Sequence, residues 1–187
     1  MNRPIEDLFV PVETWDTEKH YEKARQLFEG HNPVGIVIHH TWKPTATQCK
    51  GVPTIKGILN YHLGRGWAYI GYHFLITPDG LIYQGRPAAV IGAHSGGEIP
   101  KGAKRIVGNQ GQIGICVVGD FDTEKPTPEA LNSLRLLLTY CQTKYSIKPE
   151  AIRGHNQIFT KPSKTCPGKN LFIELFGSDQ WFKLGFK

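Results

Sequence analysis

An apolar run near residue 35 constrains the fold of this chain more than any other segment. Val34 to His39 read VGIVIH, are rich in β-branched side chains and follow the break at Asn32-Pro33. Because successive side chains of a strand point to opposite faces, apolar residues at consecutive positions indicate a strand that is buried on both faces. We therefore expect this strand near the centre of a β-sheet.

Helical and strand-like patterns alternate along the rest of the chain and predict an α/β fold. Apolar residues at helical spacing predict helices over 16–29, 55–63, 127–141 and 170–177. The turn tripeptide Pro78-Asp79-Gly80 separates two β-rich runs, 72–77 and 81–84, and predicts a hairpin. Further strands are predicted over 113–118 and 151–155. The sheet is therefore expected to be mixed, with helices flanking it.

The glycine-rich stretch 85–112 has few periodic apolar residues. It is predicted to be a long surface loop, and loops of that length inside a compact domain are usually functional. No linker divides the 187 residues, so a single domain is expected.

Composition and charge narrow the partners. The net charge is +6 and the sequence pI is about 9.1, which favours polyanions such as nucleic acid, anionic membranes or bacterial wall polymers. The basic residues are scattered, without zinc-finger spacing or an RNA-binding aromatic motif, so nucleic acid is disfavoured as a partner.

No run of 18 apolar residues is present, and the charged residues Arg3, Glu6 and Asp7 interrupt the N-terminal segment. We therefore expect neither a membrane span nor a signal peptide.

Histidine and cysteine residues near strand ends are candidate metal ligands. His39 and His40 end the predicted central strand, where alternation allows only one of them to enter a given site. His155 lies at the end of another predicted strand, and Cys166 comes 11 positions later. Two histidines and one cysteine form an open zinc set. Spacing alone leaves alternatives open, because eight histidines and four cysteines offer many such triples. His62, on the apolar stripe of its helix, is predicted to be a core residue.

Several short motifs, taken in order, resemble those of one family. They are VIHHT at 37–41, GYHFLITPDGLIYQGR at 71–86, IGAHSGG at 91–97, GQIGICVVGDF at 111–121, RGHNQI at 153–158 and KTCPG at 164–168. These motifs resemble the zinc-dependent N-acetylmuramoyl-L-alanine amidases of type 2. That family groups phage amidase lysozymes, bacterial autolysins and animal peptidoglycan-recognition proteins. The resemblance covers roughly residues 34–172 and implies a zinc amidase catalytic domain, which we assign to 34–187. Residues 1–33 lie outside the resemblance and are assigned as an N-terminal extension with the one helix that apolar spacing predicts there.

The resemblance also implies a metal set and two catalytic residues. On the matching motif positions, His39, His155 and Cys166 hold one Zn²⁺, which leaves His40 as a packing or hydrogen-bonding residue. Tyr72 contacts the attacking water or the reacting carbonyl. Lys164 stabilises the negative charge that develops on the carbonyl oxygen, a contact typically worth about 3 kcal/mol.

Four further residues are predicted to bind substrate. His94 matches a groove position of the family, and Asn109 matches the asparagine that precedes the family's next strand; solvated loop residues are the alternative interpretation for both. Trp42 and Trp67 are predicted to form a wall for the glycan or the stem peptide, with burial in the core as the alternative. His73, opposite in parity to Tyr72, is expected to be structural.

The implied reaction is hydrolysis of the amide that joins N-acetylmuramic acid to L-alanine in peptidoglycan. A phage or prophage endolysin or an autolysin, made in the cytoplasm and acting on the cell wall after release, is the first interpretation; a cytoplasmic wall-recycling amidase is the second. A peptidoglycan-binding module without activity is a different class. It is disfavoured because such members lack the thiolate ligand, which Cys166 provides here. The oligomeric state stays open.

Overall fold

The predicted central strand lies inside a six-stranded mixed sheet. The protein is seen in a computed structural model that describes residues 4–23, 30–96, 108–158 and 165–177. Strand β2, Gly35–His40, is buried at all six positions. It lies between β5, Gln112–Val117, and β6, Ile152–Gly154, and runs parallel to both. The position confirms the prediction of a strand covered on both faces.

Three shorter strands complete the sheet, whose order is β1-β4-β3-β5-β2-β6. They are β1, Phe9–Val10, β3, Phe74–Ile76, and β4, Ile82–Gln84. β3 and β4 form the predicted hairpin and pair antiparallel, whereas the other neighbouring pairs of this sheet are parallel. Gly80 in the hairpin turn has a φ of 83°, a conformation that favours glycine.

Helices cover both faces of the sheet, as predicted. They are α1, Val12–Trp15, α2, Val52–Gly64, α3, Pro128–Tyr145, and α4, Lys169–Phe176. Ile38 of β2 packs with Leu134 of α3 and Leu171 of α4 in one core cluster. Leu75 of β3 packs with Ile55 of α2 in the other. Within the described ranges, no helix combines the length and hydrophobicity that a membrane crossing requires.

The N-terminal segment belongs to the same core as the rest of the fold. β1 pairs with β4, with Phe9 opposite Ile82, and Trp15 and Tyr21 are buried in the cluster beneath α2. Residues before and after the predicted boundary at 33 therefore pack into the same core clusters. Of the helix predicted over 16–29, residues 16–20 are not helical, residues 21–23 are helical, and 24–29 lie outside the described residues.

The glycine-rich loop is less exposed than predicted. Its described parts, 85–96 and 108–111, are irregular, yet Val90, Ser95 and Asn109 are buried. Buried irregular backbone needs hydrogen-bond partners. Arg86 supplies one of them, because its guanidinium donates to the carbonyl oxygen of Ile91 at 2.9 Å, and it also donates to that of Ile70, before the loop, at 2.8 Å.

Candidate metal centre and groove

The predicted ligand set converges where β2 and β6 end. His39 is on β2, His155 directly follows β6, and Cys166 lies just before α4. One ligand atom from each residue lies within 4.8 Å of the other two. His39 Nδ1 is 3.6 Å from Cys166 Sγ, and the His39 and His155 rings are 4.3 Å apart between centroids. Folding thus brings together residues that are far apart in the sequence.

The donor atoms of this cluster fit zinc. Tetrahedral zinc has Zn–N bonds of about 2.0–2.1 Å and Zn–S bonds of about 2.3 Å, which place nitrogen and sulfur ligands about 3.5–3.6 Å apart. The 3.6 Å between His39 Nδ1 and Cys166 Sγ agrees with that value. The backbone N–H of His40 donates to the same sulfur at 3.5 Å, which favours the thiolate that zinc requires.

An acidic residue that sequence analysis missed holds the loop of Cys166. The Thr165 hydroxyl donates to the Asp122 carboxylate, and the Lys169 N–H donates to the same side chain at 3.2 Å. On the other side, the Asn156 N–H donates to the Cys166 carbonyl oxygen at 2.7 Å. These bonds tie the sulfur to the segments that follow β5 and β6. No local pattern around Asp122 reveals this role, because its partners are more than 40 positions away.

Strand alternation separates the two adjacent histidines, as predicted. His39 lies on the sheet face that α2 covers, and His40 turns to the opposite face, where its Nδ1 accepts from the Phe121 N–H at 3.2 Å. Burial lowers the pKa of His40, and the nearby Asp122 and Asp120 carboxylates oppose that shift. His40 therefore packs and accepts a hydrogen bond.

Tyr72 lies beside the ligands and lines the groove. Its ring centroid is 5.3 Å from that of His39, in a groove of about 900 Å³ that the three ligands also line. Burial raises the pKa of Tyr72 well above its ordinary value, and the Cys116 and Cys166 sulfurs add to the shift. The hydroxyl therefore stays protonated near neutral pH and serves as a hydrogen-bond donor.

Aromatic side chains line the groove away from the ligands. The Trp42 side chain is 62% exposed, which excludes the alternative that it is buried in the core. Trp67 is half-buried, with its ring stacked on His62 at 4.5 Å. Tyr61 and Arg65, which were not predicted, also line the groove; the guanidinium lies over both the Tyr61 and the Trp67 rings. The signal available in the sequence was their i, i+4 spacing, with Tyr61 in the last turn of α2 and Arg65 directly after it.

The structure buries two residues that were predicted to contact substrate. Asn109 is fully buried and its Oδ1 accepts from the Ser95 N–H at 2.7 Å, so it is placed to hold the loop and not to contact a substrate. His94 borders the groove but is 7% exposed, and its Nδ1 is 3.0 Å from His39 Nε2.

Lys164 lies outside the described residues, so its catalytic role stays a prediction.

The two histidines expected to be structural are bonded to backbone. His62 Nδ1 accepts from the Gly71 N–H at 3.3 Å, and burial lowers the pKa of His62 to about 4. His73 Nδ1 accepts from the Gly114 N–H, and its Nε2 donates to the Val90 carbonyl oxygen, both at 2.9 Å. Burial lowers the pKa of His73 to about 3.

Known proteins are similar to this chain in sequence. Peptidoglycan-recognition protein LB of Drosophila melanogaster is 35% identical over 159 residues, which cover 82% of this chain and 62% of the relative. The human N-acetylmuramoyl-L-alanine amidase is 31% identical over 149 residues, which cover 75% of this chain and 23% of that protein. The chain thus spans less than two thirds of the length of either relative.

A solved structure shows the same likeness. The endolysin and N-acetylmuramoyl-L-alanine amidase LysCS from Clostridium intestinale URNW superposes with a TM-score of 0.62 and 34% identity, over 84% of this chain and 86% of that one. The family model described as "Amidase_2: N-acetylmuramoyl-L-alanine amidase" matches residues 29–169. That match takes in five of the six strands, the groove and the complete candidate ligand set, and the chain therefore belongs to the N-acetylmuramoyl-L-alanine amidase family.

Proposed function

We propose that this chain is a zinc-dependent N-acetylmuramoyl-L-alanine amidase that hydrolyses the amide between N-acetylmuramic acid and L-alanine in bacterial peptidoglycan. The convergence of His39, His155 and Cys166 beside a groove of about 900 Å³ carries the proposal. Catalytic zinc sites have three protein ligands and one open position, whereas structural sites are closed by four. In the described part of the chain this cluster has three members, which is the catalytic pattern.

The ligand set determines where the metal chemistry takes place. When bound, zinc supplies a Lewis acid that polarises an amide carbonyl and lowers the pKa of water to about 7. His39 and His155 are almost fully buried, so the cluster is shielded from bulk water on the protein side. Cys166 is half-buried and lines the groove, through which a substrate amide reaches the cluster.

Two side chains are proposed to act on the reacting amide. The protonated hydroxyl of Tyr72 donates a hydrogen bond to the carbonyl oxygen as negative charge develops there, or orients the attacking water. Lys164, two positions before Cys166, supplies a positive charge to the same oxygen. Preorganised donors of this kind stabilise the transition state more than the substrate.

The rest of the groove suits a glycopeptide. Trp42, Tyr61 and Trp67 offer aromatic faces for sugar rings and apolar peptide groups, and Arg65 offers a bidentate donor for a carboxylate of the stem peptide.

The net charge of +6 favours approach of the protein to an anionic cell wall. We propose that the protein acts as a phage or prophage endolysin or as an autolysin, made in the cytoplasm and acting on the wall after release.

Analysis of the products formed from purified cell walls tests the function. An amidase releases new L-alanine amino termini without new reducing sugars. A zinc peptidase would expose other amino termini, and a recognition module would bind the walls and release nothing; either result rejects the proposal. Cleavage of soluble muropeptides without cleavage of intact walls would assign the recycling role instead of the lytic one.

A matched pair of cysteine variants links the activity to the ligand set. Cys166→Ser should abolish release of L-alanine termini, because it removes the soft sulfur ligand. Cys49→Ser is the control, since Cys49 is also a free, half-buried cysteine but lies outside the cluster. Full activity of Cys166→Ser would contradict the proposal.

A further inference from the structure

We propose that His94 is a positioning residue that sets the tautomer and orientation of His39, so that His39 offers Nδ1 to the metal. The inference deepens the proposed function and rests on it. It replaces the predicted contact between His94 and substrate with a contact between His94 and a metal ligand. The observation behind it is the 3.0 Å distance between His39 Nε2 and His94 Nδ1.

The partners of His94 determine which of its nitrogens carries the hydrogen. Its Nε2 faces the carbonyl oxygen of Gln112 at 3.4 Å. A carbonyl oxygen only accepts, so the hydrogen of a neutral His94 ring lies on Nε2 and leaves Nδ1 as an acceptor. The Ser95 hydroxyl lies 3.2 Å from the same Nδ1, and because a hydroxyl can donate, this contact is compatible with an acceptor Nδ1.

The state of His39 follows from that of His94. Two nitrogens 3.0 Å apart need one donor and one acceptor, and since His94 Nδ1 accepts, His39 Nε2 carries the hydrogen. The lone pair of His39 is then on Nδ1, the atom that lies 3.6 Å from Cys166 Sγ. Metal-bound histidines generally donate their other N–H to an outer partner, which fixes the tautomer and the ring plane.

Two glycines make room for the His94 ring. A Cβ atom at Gly114, on β5, or at Gly92 would overlap the imidazole of His94. Gly114 pairs with Val37, two positions before His39 on β2, so the ring rests against the sheet face from which His39 projects. An ordinary side chain at either position would displace the ring.

The loop that carries His94 is fixed at the next residue. Asn109 is fully buried and accepts from the Ser95 N–H at 2.7 Å, which joins the two described parts of the glycine-rich loop. Asn109 therefore supports His94, and His94 supports His39. The two predicted substrate-binding residues of this loop form one hydrogen-bonded support for the metal ligand.

A pair of equally sized variants separates the acceptor from the packing of the ring. Asparagine carries Oδ1 at the same number of bonds from Cα as histidine carries Nδ1, whereas leucine has a similar shape and no acceptor. The probe is Zn²⁺ alone, competed against a chelator at fixed pH. For His94→Leu we expect the zinc dissociation constant to rise about 10–100-fold, the usual loss for an outer-shell partner. His94→Asn should stay much closer to the parent.

The results that would overturn this inference differ from the result that would overturn the proposed function. Equal weakening of zinc binding by both variants would show that only packing matters, and no weakening by either would show that His94 does not position His39; each result overturns the inference. Absence of zinc binding in the parent would instead overturn the proposed function. His62→Leu is the control, because it removes a buried Nδ1 acceptor, bonded to the Gly71 N–H, and should leave zinc affinity unchanged.

A spectroscopic measurement on the unaltered protein tests the inference even if a variant fails to fold. Long-range ¹⁵N–¹H correlation spectra of the zinc-loaded protein distinguish protonated from metal-bound ring nitrogens. We expect a hydrogen on Nε2 of His39 and the metal on Nδ1. A hydrogen on Nδ1, with the metal on Nε2, would overturn the inference.

Discussion

Buried histidines in this protein differ in function because their neighbours differ. A neutral imidazole has one donor and one acceptor nitrogen, and its partners select which is which. His40, His62 and His73 use Nδ1 to accept a backbone N–H. His39 instead directs Nδ1 towards Cys166 and His155. The same side chain thus serves as a packing group or as a ligand, according to what lies beside each nitrogen.

Tyr72→Phe should lower turnover while zinc binding is retained. The hydroxyl is the donor that the proposed mechanism directs at the reacting carbonyl, and loss of one such donor typically lowers kcat by about 10²–10³. The ring, which lies beside His39, is preserved in phenylalanine. Steady-state rates on cell walls and the zinc content of the same samples check this. Unchanged turnover would assign Tyr72 a packing role only.

Lys164→Ala should lower kcat by about a hundredfold if Lys164 stabilises the oxyanion. Lys161→Ala is the matched control, since it removes a nearby lysine of the same segment without a predicted role. Both variants should bind zinc like the parent, which competition with a chelator verifies. Equal effects of the two substitutions on kcat would contradict a specific role for Lys164.

Short strands and the loops after them place the site. β2 and β6 run parallel, so His39 and His155 emerge at the same edge of the sheet, and β5 beside β2 provides the space that His94 fills. The loop before α4 then brings Cys166 to this edge. The position of the cluster at the carboxyl ends of parallel strands is the usual location of sites in α/β folds.

Two glycine substitutions of the same chemistry should have opposite effects on stability. Gly114→Ala on β5 places a methyl group into the His94 ring, and overpacking of this kind typically costs about 1–3 kcal/mol. Gly57→Ala lies in the exposed interior of α2, where a Cβ atom meets nothing, and should stabilise the fold by about 0.5–1 kcal/mol. Denaturant unfolding measures both. Equal effects would contradict the account of Gly114.

Local patterns predicted the elements, whereas tertiary partners decided the rest. The central strand, the hairpin and the long helix each have a local signature that survives folding. Strand β1 is two residues long and has no periodicity to detect. The contact between His39 and His94 joins positions 55 apart, and sequence alone does not say which ring nitrogen faces which partner. Motif positions predicted the candidate ligands, whereas no local pattern predicted the contact between His39 and His94.

Acid should destabilise the folded chain through its buried neutral histidines. Burial lowers the pKa of His62 to about 4 and of His73 to about 3, whereas both titrate near 6.5 in the unfolded chain. Below about pH 6.5 the unfolded state therefore binds protons that the folded state does not. The free energy of unfolding then falls by up to about 1.4 kcal/mol per pH unit for each group.

Urea unfolding between pH 7 and 5 measures this dependence. The decline should be shallower in His62→Leu than in the parent, because the variant has lost one of the buried histidines that take up a proton on unfolding. At pH 7 the variant should be the less stable of the two, since the Gly71 N–H loses its acceptor. Identical pH slopes in the two proteins would show that His62 does not contribute to the acid sensitivity.

The sheet, the groove and the ligands together support one statement, that His39, His155 and Cys166 bind a single zinc ion on which hydrolysis depends. One experiment decides it. The zinc content is measured after purification, and hydrolysis of cell walls is then followed after chelation and after zinc is added back. We predict one zinc per chain in the parent and in Cys49→Ser, none in Cys166→Ser, and recovery of activity only where zinc binds. Full hydrolysis by thoroughly chelated protein would contradict the account.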